Sequence, residues 1–200
     1  MTIGKDREYY NRSLNSLLNS DLSKGDLYIF YDIHKYKTKR MFIKIIKLFK
    51  DYDYVVIIQD DIIYNKNWLN ALLDIAIKIE NLGILTPWDR INHKINPENS
   101  DWIKRNPKIN LSGKISNCKI GGICWLITKK FIDGLLKLNL NKYSGNCYDS
   151  CFQGYCHNLG LTIAATNPSY VEHIGIKSIV KLGKSRNSSG YRSKNFIGEM

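Results

Sequence analysis

The chain has 200 residues, of which 44% are hydrophobic and 24% charged, a balance that favours one folded domain and excludes an extended disordered protein. Its apolar runs are too short to cross a bilayer and its N-terminus lacks the apolar stretch of a signal peptide, so we expect a cytoplasmic protein without a membrane span. The formal net charge of +12 favours an anionic partner, although a solvated lysine-rich surface explains it equally well.

Helical and strand patterns alternate in the first half of the chain. Apolar residues spaced along one helix face predict helices, and short runs rich in aromatic and β-branched residues predict strands. The run over residues 54–58 is apolar without interruption, as a buried parallel strand would be. The predicted elements are, in chain order, a helix over about residues 8–18, a strand over 27–31, a helix that follows Thr38, the strand over 54–58, a helix over 68–79 and a strand over 83–86.

The second half begins with a long polar stretch over residues 88–117, and a loop of this length inside a compact domain is usually functional. The remaining predicted elements are a strand within residues 120–128, helices over 129–138 and 148–158, and a strand over 161–165. This alternation predicts an α/β fold with a mostly parallel central sheet flanked by helices. In such sheets, ligands bind at the carboxyl ends of the strands.

Two adjacent carboxylates, Asp60 and Asp61, close the apolar strand over residues 54–58. At a buried strand end they repel each other and cost desolvation energy, and a divalent cation relieves both problems. Carboxylate oxygens suit Mg²⁺ or Mn²⁺, which also accept phosphate oxygens as ligands. The simpler alternative is a turn in which an aspartate caps the next segment.

Three further features are candidates for chemistry, each with a structural alternative. His173 can complete a cation site begun by a distant carboxylate, or it can be a histidine satisfied by a backbone carbonyl. Asp149 begins the predicted helix over residues 148–158, where it is either a helix cap or a general base that faces a hydroxyl group. The pair Gly121 and Gly122 lets the backbone approach a ligand closely, or it marks a bulge.

The order and spacing of these blocks resemble the GT-A-type glycosyltransferases, in a family 2-like form. The resemblance covers nearly the whole chain, and its last block looks most like that of N-acetylglucosaminyltransferase IV-like enzymes. The matching segments are residues 2–7 and 13–18 for the donor-binding start, 55–61 for the strand with the D-x-D-type metal motif, 121–125 for the acceptor-side glycine block, 148–150 for the catalytic acidic block and 168–175 for the metal-histidine block.

The resemblance implies a metal-dependent transferase that moves a hexosyl or N-acetylhexosaminyl group from a nucleotide-sugar donor, with a UDP-sugar favoured, to an acceptor hydroxyl with inversion. The acceptor is a glycan, a protein or a nucleic acid. By analogy, Asp149 is the catalytic base, and Asp61 and His173 hold Mn²⁺ or Mg²⁺. The resemblance assigns donor binding to Thr2, Arg7, Asp60, Asp61, Lys177 and Arg186, and acceptor binding to Gly121, Gly122 and Trp125.

The chain departs from the family pattern in two places. Gln59 occupies the first acidic position of the D-x-D-type motif, so by analogy Asp61 holds the metal and Asp60 approaches the ribose. The strand that precedes residues 2–7 in the family is short or missing. We expect one GT-A-like domain over residues 1–180 and a basic, mobile tail or lid over residues 181–200.

Two other functions fit the same sequence. The net charge, the basic helix over residues 35–50 and the basic tail suit a non-catalytic nucleic-acid-binding protein, although no recognised nucleic-acid motif is present. A degenerate transferase domain that binds sugar nucleotide without turning it over suits the shortened N-terminus. Hydrolysis of UDP-, GDP- or TDP-sugars in the presence of Mn²⁺ would distinguish an active transferase from both.

Overall fold

The computed structural model describes residues 9–30, 38–88, 101–105, 108–109, 115–117, 120–138, 148–174 and 196–198. The helices of this part are α1 (Tyr10–Leu18), α2 (Thr38–Leu48), α3 (Trp68–Ala76), α4 (Lys129–Leu136) and α5 (Tyr148–Asn158). Its strands are β1 (Tyr54–Ile58), β2 (Ile62–Tyr64), β3 (Leu82–Thr86), β4 (Trp102–Lys104), β5 (Lys108–Ile109), β6 (Ile115–Asn117), β7 (Cys124–Thr128), β8 (Thr162–Thr166) and β9 (Val171–His173).

The central sheet has five strands in the order β1-β7-β3-β8-β4, and it confirms a mixed α/β fold. The prediction of a mostly parallel sheet is wrong for the described strands, because only β3 and β8 pair in parallel and the other three pairings are antiparallel. The physical reason is that an uninterrupted apolar run indicates a strand buried on both faces but not the direction of its neighbours. β7 is buried on both faces, and both of its neighbours are antiparallel to it. β1 alternates between more and less buried positions.

Helices cover both faces of this sheet, as predicted. Because successive side chains of a strand point to opposite faces, β7 sends Trp125 and Ile127 to one side and Cys124 and Leu126 to the other. The first side packs against α2, α4 and α5, and the second packs against α1 and α3. The sheet therefore forms the middle layer of three. Among the described residues, no helix is long and apolar enough to cross a membrane.

Two local predictions are wrong. Residues 27–30 of the strand predicted over 27–31 do not form a strand. Instead, the rings of Tyr28 and Phe30 pack against Phe49 at the end of α2, with centroid distances of 4.8 and 5.9 Å, so aromatic side chains that predict a strand are satisfied by packing on a helix. The stretch over residues 88–117, predicted as a loop, contains β4, β5 and β6, which are too short to give a periodic signal.

Some predicted features lie outside the described residues. The segment over residues 2–7, with its short or missing strand, is one of them. The basic tail over residues 181–200 is another, apart from residues 196–198. There Ile197 donates its backbone N–H to the Ser169 carbonyl at 3.2 Å, and its own carbonyl accepts a hydrogen bond from the Asn65 side chain.

Thr128 joins the sheet to α4, and its replacement tests the packing of this layer. Its hydroxyl donates to the Leu82 carbonyl at 2.9 Å and accepts the Phe131 N–H at 3.3 Å as the N-cap of α4. We expect Thr128→Val, which keeps the shape of the side chain, to lower the free energy of unfolding by roughly 1–3 kcal/mol in urea titrations, because both partners lose their hydrogen bond.

The matched control is Thr162→Val in β8. The Thr162 hydroxyl donates to the carbonyl of Glu80 at 3.2 Å in a solvent-exposed position, where water can replace it. We expect this variant to change the free energy of unfolding by less than about 0.5 kcal/mol. Equal losses in the two variants would contradict the cap assignment.

Candidate functional site

The ends of three strands bring the predicted site residues to one edge of the central sheet. Because β1 is antiparallel to β7, Ile58 at the carboxyl end of β1 lies opposite Cys124 at the start of β7. β3 is also antiparallel to β7, so its carboxyl end lies at the same edge. The residues that follow β1, follow β3 or precede β7 are therefore neighbours in space. They are Gln59, Asp60 and Asp61 after β1, Trp88 after β3, and Gly121 and Gly122 before β7.

A small second sheet brings Asp61 and His173 together, although 112 positions separate them in sequence. β2 pairs antiparallel with β9, and Ile62 lies opposite His173. The backbone N–H of Ile174 donates to the Asp61 carbonyl at 2.9 Å, which extends the ladder by one step. The His173 Nε2 atom lies 3.3 Å from the Asp61 Oδ2 atom, and both side chains are buried.

Helix α1 fixes the outer edge of this small sheet. The hydroxyl of Ser13 accepts the N–H of Ile62 at 3.2 Å, and the hydroxyl of Ser16 accepts the N–H of Tyr64 at 2.8 Å. Two serines one helical turn apart thus hold the strand that begins directly after Asp61. Burial raises the pKa of the Tyr64 hydroxyl well above its usual value, and the nearby Asp60 and Asp61 carboxylates raise it further. Tyr64 is therefore a neutral neighbour of the acidic pair.

Trp88 connects His173 to the glycine pair. Its ring meets the His173 ring edge to face, with 6.3 Å between centroids. Trp88 also lies close to Gly121: a Cβ atom at position 121 would lie 2.6 Å from Trp88 Cζ3, so the close approach requires glycine. Sequence reasoning missed Trp88, which stood only as the first residue of a predicted loop. Its position directly after Pro87 at a strand end was the available signal.

Asp149 contacts the glycine pair from the first turn of α5. Its Oδ2 atom accepts the backbone N–H of Gly122 at 3.1 Å. The carbonyl of Gly122 accepts a hydrogen bond from Gln59 Nε2, also at 3.1 Å. Asp149 therefore binds the N–H of Gly122, and Gln59 at the end of β1 binds its carbonyl. The hydrogen bond from Gln59 to Gly122 was not predicted from the sequence, in which Gln59 was noted only because it replaces an acidic residue of the D-x-D-type motif.

Trp125 supports the glycine pair from the core side. Its ring is 1% exposed and meets Phe42 edge to face at 6.0 Å, and its Nε1 atom donates to the Gly121 carbonyl at 2.6 Å. Gln153, one turn after Asp149 on α5, is fully buried and holds Ile120 through both backbone groups. Trp125 therefore holds the loop in this structure, and its predicted contact with an acceptor stays a prediction.

No protein-family model and no curated protein matches the chain. The remaining predicted donor-binding residues, Thr2, Arg7, Lys177 and Arg186, lie outside the described residues. The structure brings together Asp61, His173, Gly121, Gly122 and Asp149, with Asp60 buried next to Asp61, and it adds Gln59, Trp88 and Gln153.

The chemistry of the Asp61–His173 pair fits a divalent cation. A carboxylate oxygen and an imidazole nitrogen are both ligands for Mn²⁺, and neighbouring ligand atoms around such an ion lie about 3 Å apart, close to the separation of this pair. In the part of the chain that the structure describes, no three His, Cys, Asp or Glu side chains form a metal-binding group. Waters and phosphate oxygens of a ligand are common further ligands of Mg²⁺ in protein sites.

Proposed function

We propose that this chain is a glycosyltransferase of GT-A type that moves a sugar from a nucleotide-diphosphate donor to an acceptor hydroxyl with inversion. The observation that supports the proposal best is the contact of Asp61 with His173 at 3.3 Å, at the same sheet edge as Asp149. A pair of cation ligands and a positioned carboxylate suit this reaction, because a diphosphate leaves as a hydroxyl group is deprotonated.

Asp61 and His173 would bind the cation. Asp61 lies directly before β2 and His173 ends β9, so the two paired strands of the small sheet orient the two ligands. A cation bound there supplies positive charge that neutralises the diphosphate leaving group. By the resemblance, Asp60 lies toward the donor ribose. A UDP-sugar remains the favoured donor.

Asp149 performs the proton transfer in this proposal. The acceptor oxygen forms a bond to the anomeric carbon, the bond from that carbon to the diphosphate oxygen breaks, and the hydroxyl proton moves to the Asp149 carboxylate. Attack from the face opposite the diphosphate inverts the anomeric configuration. The N–H of Gly122 holds Oδ2 of Asp149 and therefore limits rotation of the carboxylate. A base that is held in one orientation needs less reorganisation as the proton moves.

Calorimetry with UDP, GDP and TDP tests the proposal. We expect at least one of these diphosphates to bind in the presence of Mn²⁺ and to lose at least about 10-fold in affinity in excess chelator, because the acidic edge then repels phosphate. Hydrolysis of the matching nucleotide sugar should follow the same dependence on Mn²⁺.

Equal affinity with and without chelator would contradict the metal-dependent site. If the chain then bound duplex DNA with an affinity that fell steeply with salt, the result would favour the nucleic-acid-binding alternative. Binding of a diphosphate with no turnover of any sugar nucleotide would leave the degenerate transferase domain as the correct interpretation.

A further inference from the structure

The side chain of Gln59 joins the end of β1 to the glycine pair. Its Nε2 atom donates to the Gly122 carbonyl at 3.1 Å. Its backbone N–H donates to the Ile123 carbonyl at 2.9 Å, which continues the β1–β7 ladder past Ile58. Gln59 is therefore held by its main chain directly beside the loop that its side chain contacts.

Gly122 is bound at both of its backbone groups by residues from different elements. The amide of Gln59 binds the carbonyl, and the carboxylate of Asp149 binds the N–H. The two contacts form a short chain of hydrogen bonds from the end of β1 to the first turn of α5. Because both contacts are made to the backbone of the same residue, each of them helps to orient its peptide groups. A change at one end can therefore be transmitted to the other through Gly122.

We propose that Gln59 is a positioning residue that orients Asp149 through Gly122; the inference rests on the proposed function of Asp149 as the base. The chemistry explains why an amide stands at this position. Carboxylate and carbonyl oxygens both only accept hydrogen bonds, so an ionised aspartate or glutamate at position 59 would place two acceptors in contact. The departure from the D-x-D-type pattern thus has a local cause.

The rest of the loop has its own supports, which makes the effect of Gln59 specific. Gln153 holds Ile120 through its N–H at 3.4 Å and its carbonyl at 2.8 Å. Trp125 holds the carbonyl of Gly121. Loss of the Gln59 amide therefore leaves the loop attached to α5 and to the core. We infer that it loosens Gly122 and the Asp149 carboxylate without unfolding the site.

The test is a double-mutant cycle of Gln59→Met and Asp149→Asn, measured on the sugar nucleotide that the wild-type protein turns over. Methionine keeps the length of glutamine and removes the donor. We expect Gln59→Met to lower kcat about 10-fold and to change the donor KM by less than about 2-fold. In the Asp149→Asn background, the same substitution should lower kcat by less than about 2-fold, because the group that Gln59 orients is already gone.

A purely structural role for Gln59 gives equal losses of kcat in both backgrounds and would overturn the proposal. A second measurement remains informative if the wild-type protein has no transferase activity. In ¹³C and ¹⁵N NMR spectra, Gln59→Met should shift the carboxyl signal of Asp149 and the amide signal of Gly122, with the signals of α3 unchanged. Unchanged Asp149 and Gly122 signals would refute the positioning role, whereas absent activity alone would refute the proposed function.

Discussion

Asp149→Asn should leave folding and donor binding intact and slow sugar transfer by about 10²-fold or more, as expected for loss of a general base. The variant separates two roles that overlap in this structure. The carboxylate of Asp149 accepts the Gly122 N–H at 3.1 Å and lies in the first turn of α5, so it stabilises the loop and the helix in addition to its proposed chemistry.

Asparagine keeps the structural role and loses the chemical one. Its side-chain oxygen still accepts a hydrogen bond from Gly122, and asparagine has nearly the size and shape of aspartate. An amide cannot take up a proton at neutral pH. Any large loss of kcat with unchanged diphosphate affinity therefore reports the missing base.

The measurement is single-turnover transfer or donor hydrolysis, with diphosphate affinity determined by calorimetry on the same samples. The matched control is Asp133→Asn on α4, where the carboxylate pairs with Lys129 at 3.1 Å in a partly exposed position. We expect the control to change the rate by less than about 2-fold, because surface ion pairs contribute little. A rate for Asp149→Asn equal to that of the control would mean that Asp149 is a structural cap and that another group is the base.

Helices and strands whose own residues show a clear apolar pattern were predictable from the sequence. β1 was predicted at its observed bounds because five apolar residues in a row have few alternatives to a buried strand. The helix after Thr38 was predicted because Phe42, Ile45 and Ile46 fall on one face, and that face is buried against the sheet. Strand direction was not predictable in this way, because an apolar run is equally satisfied between parallel and antiparallel neighbours.

In the candidate site, too, some residues follow from a local pattern and others depend on contacts between distant elements. Asp60 and Asp61 were predictable because they end a recognisable strand. His173 was a candidate cation ligand from its residue type, and the resemblance assigned it to the same metal as Asp61. Its contact with Asp61 depends on β2 and β9, which have three residues each and no periodic pattern. The contact of Gln59 with Gly122 spans 63 positions in sequence. Such contacts depend on the packing of distant elements, so residue types alone do not reveal them.

The second large effect concerns Asp61. We expect Asp61→Asn to reduce the affinity for nucleoside diphosphate in Mn²⁺ to the level of the wild-type protein in chelator, and to slow transfer by about 10³-fold or more, which corresponds to several kcal/mol of lost charge stabilisation. Asparagine retains the shape of the side chain and a hydrogen-bonding oxygen near His173, so we expect thermal unfolding to show a folded protein.

The matched control is Asp51→Ala. Asp51 is exposed in the turn before β1, at the opposite end of the strand from Asp61. Removal of this carboxylate changes the net charge by the same amount as Asp61→Asn. We expect the control to leave both diphosphate affinity and its dependence on Mn²⁺ within about 2-fold of the wild-type values, because exposed charges at a distance are largely screened by salt.

The dependence on Mn²⁺ also distinguishes a cation site from a structural contact between Asp61 and His173. A buried hydrogen bond between the two side chains would stabilise the small sheet whether or not a cation is present. Its loss in Asp61→Asn would lower the free energy of unfolding and leave the gain in diphosphate affinity on addition of Mn²⁺ unchanged. A cation site predicts the reverse: the variant loses most of that gain and keeps most of its stability. If Asp61→Asn kept the full gain in diphosphate affinity on addition of Mn²⁺, the cation would bind elsewhere. The main observation in favour of a metal-dependent transferase would then no longer support it.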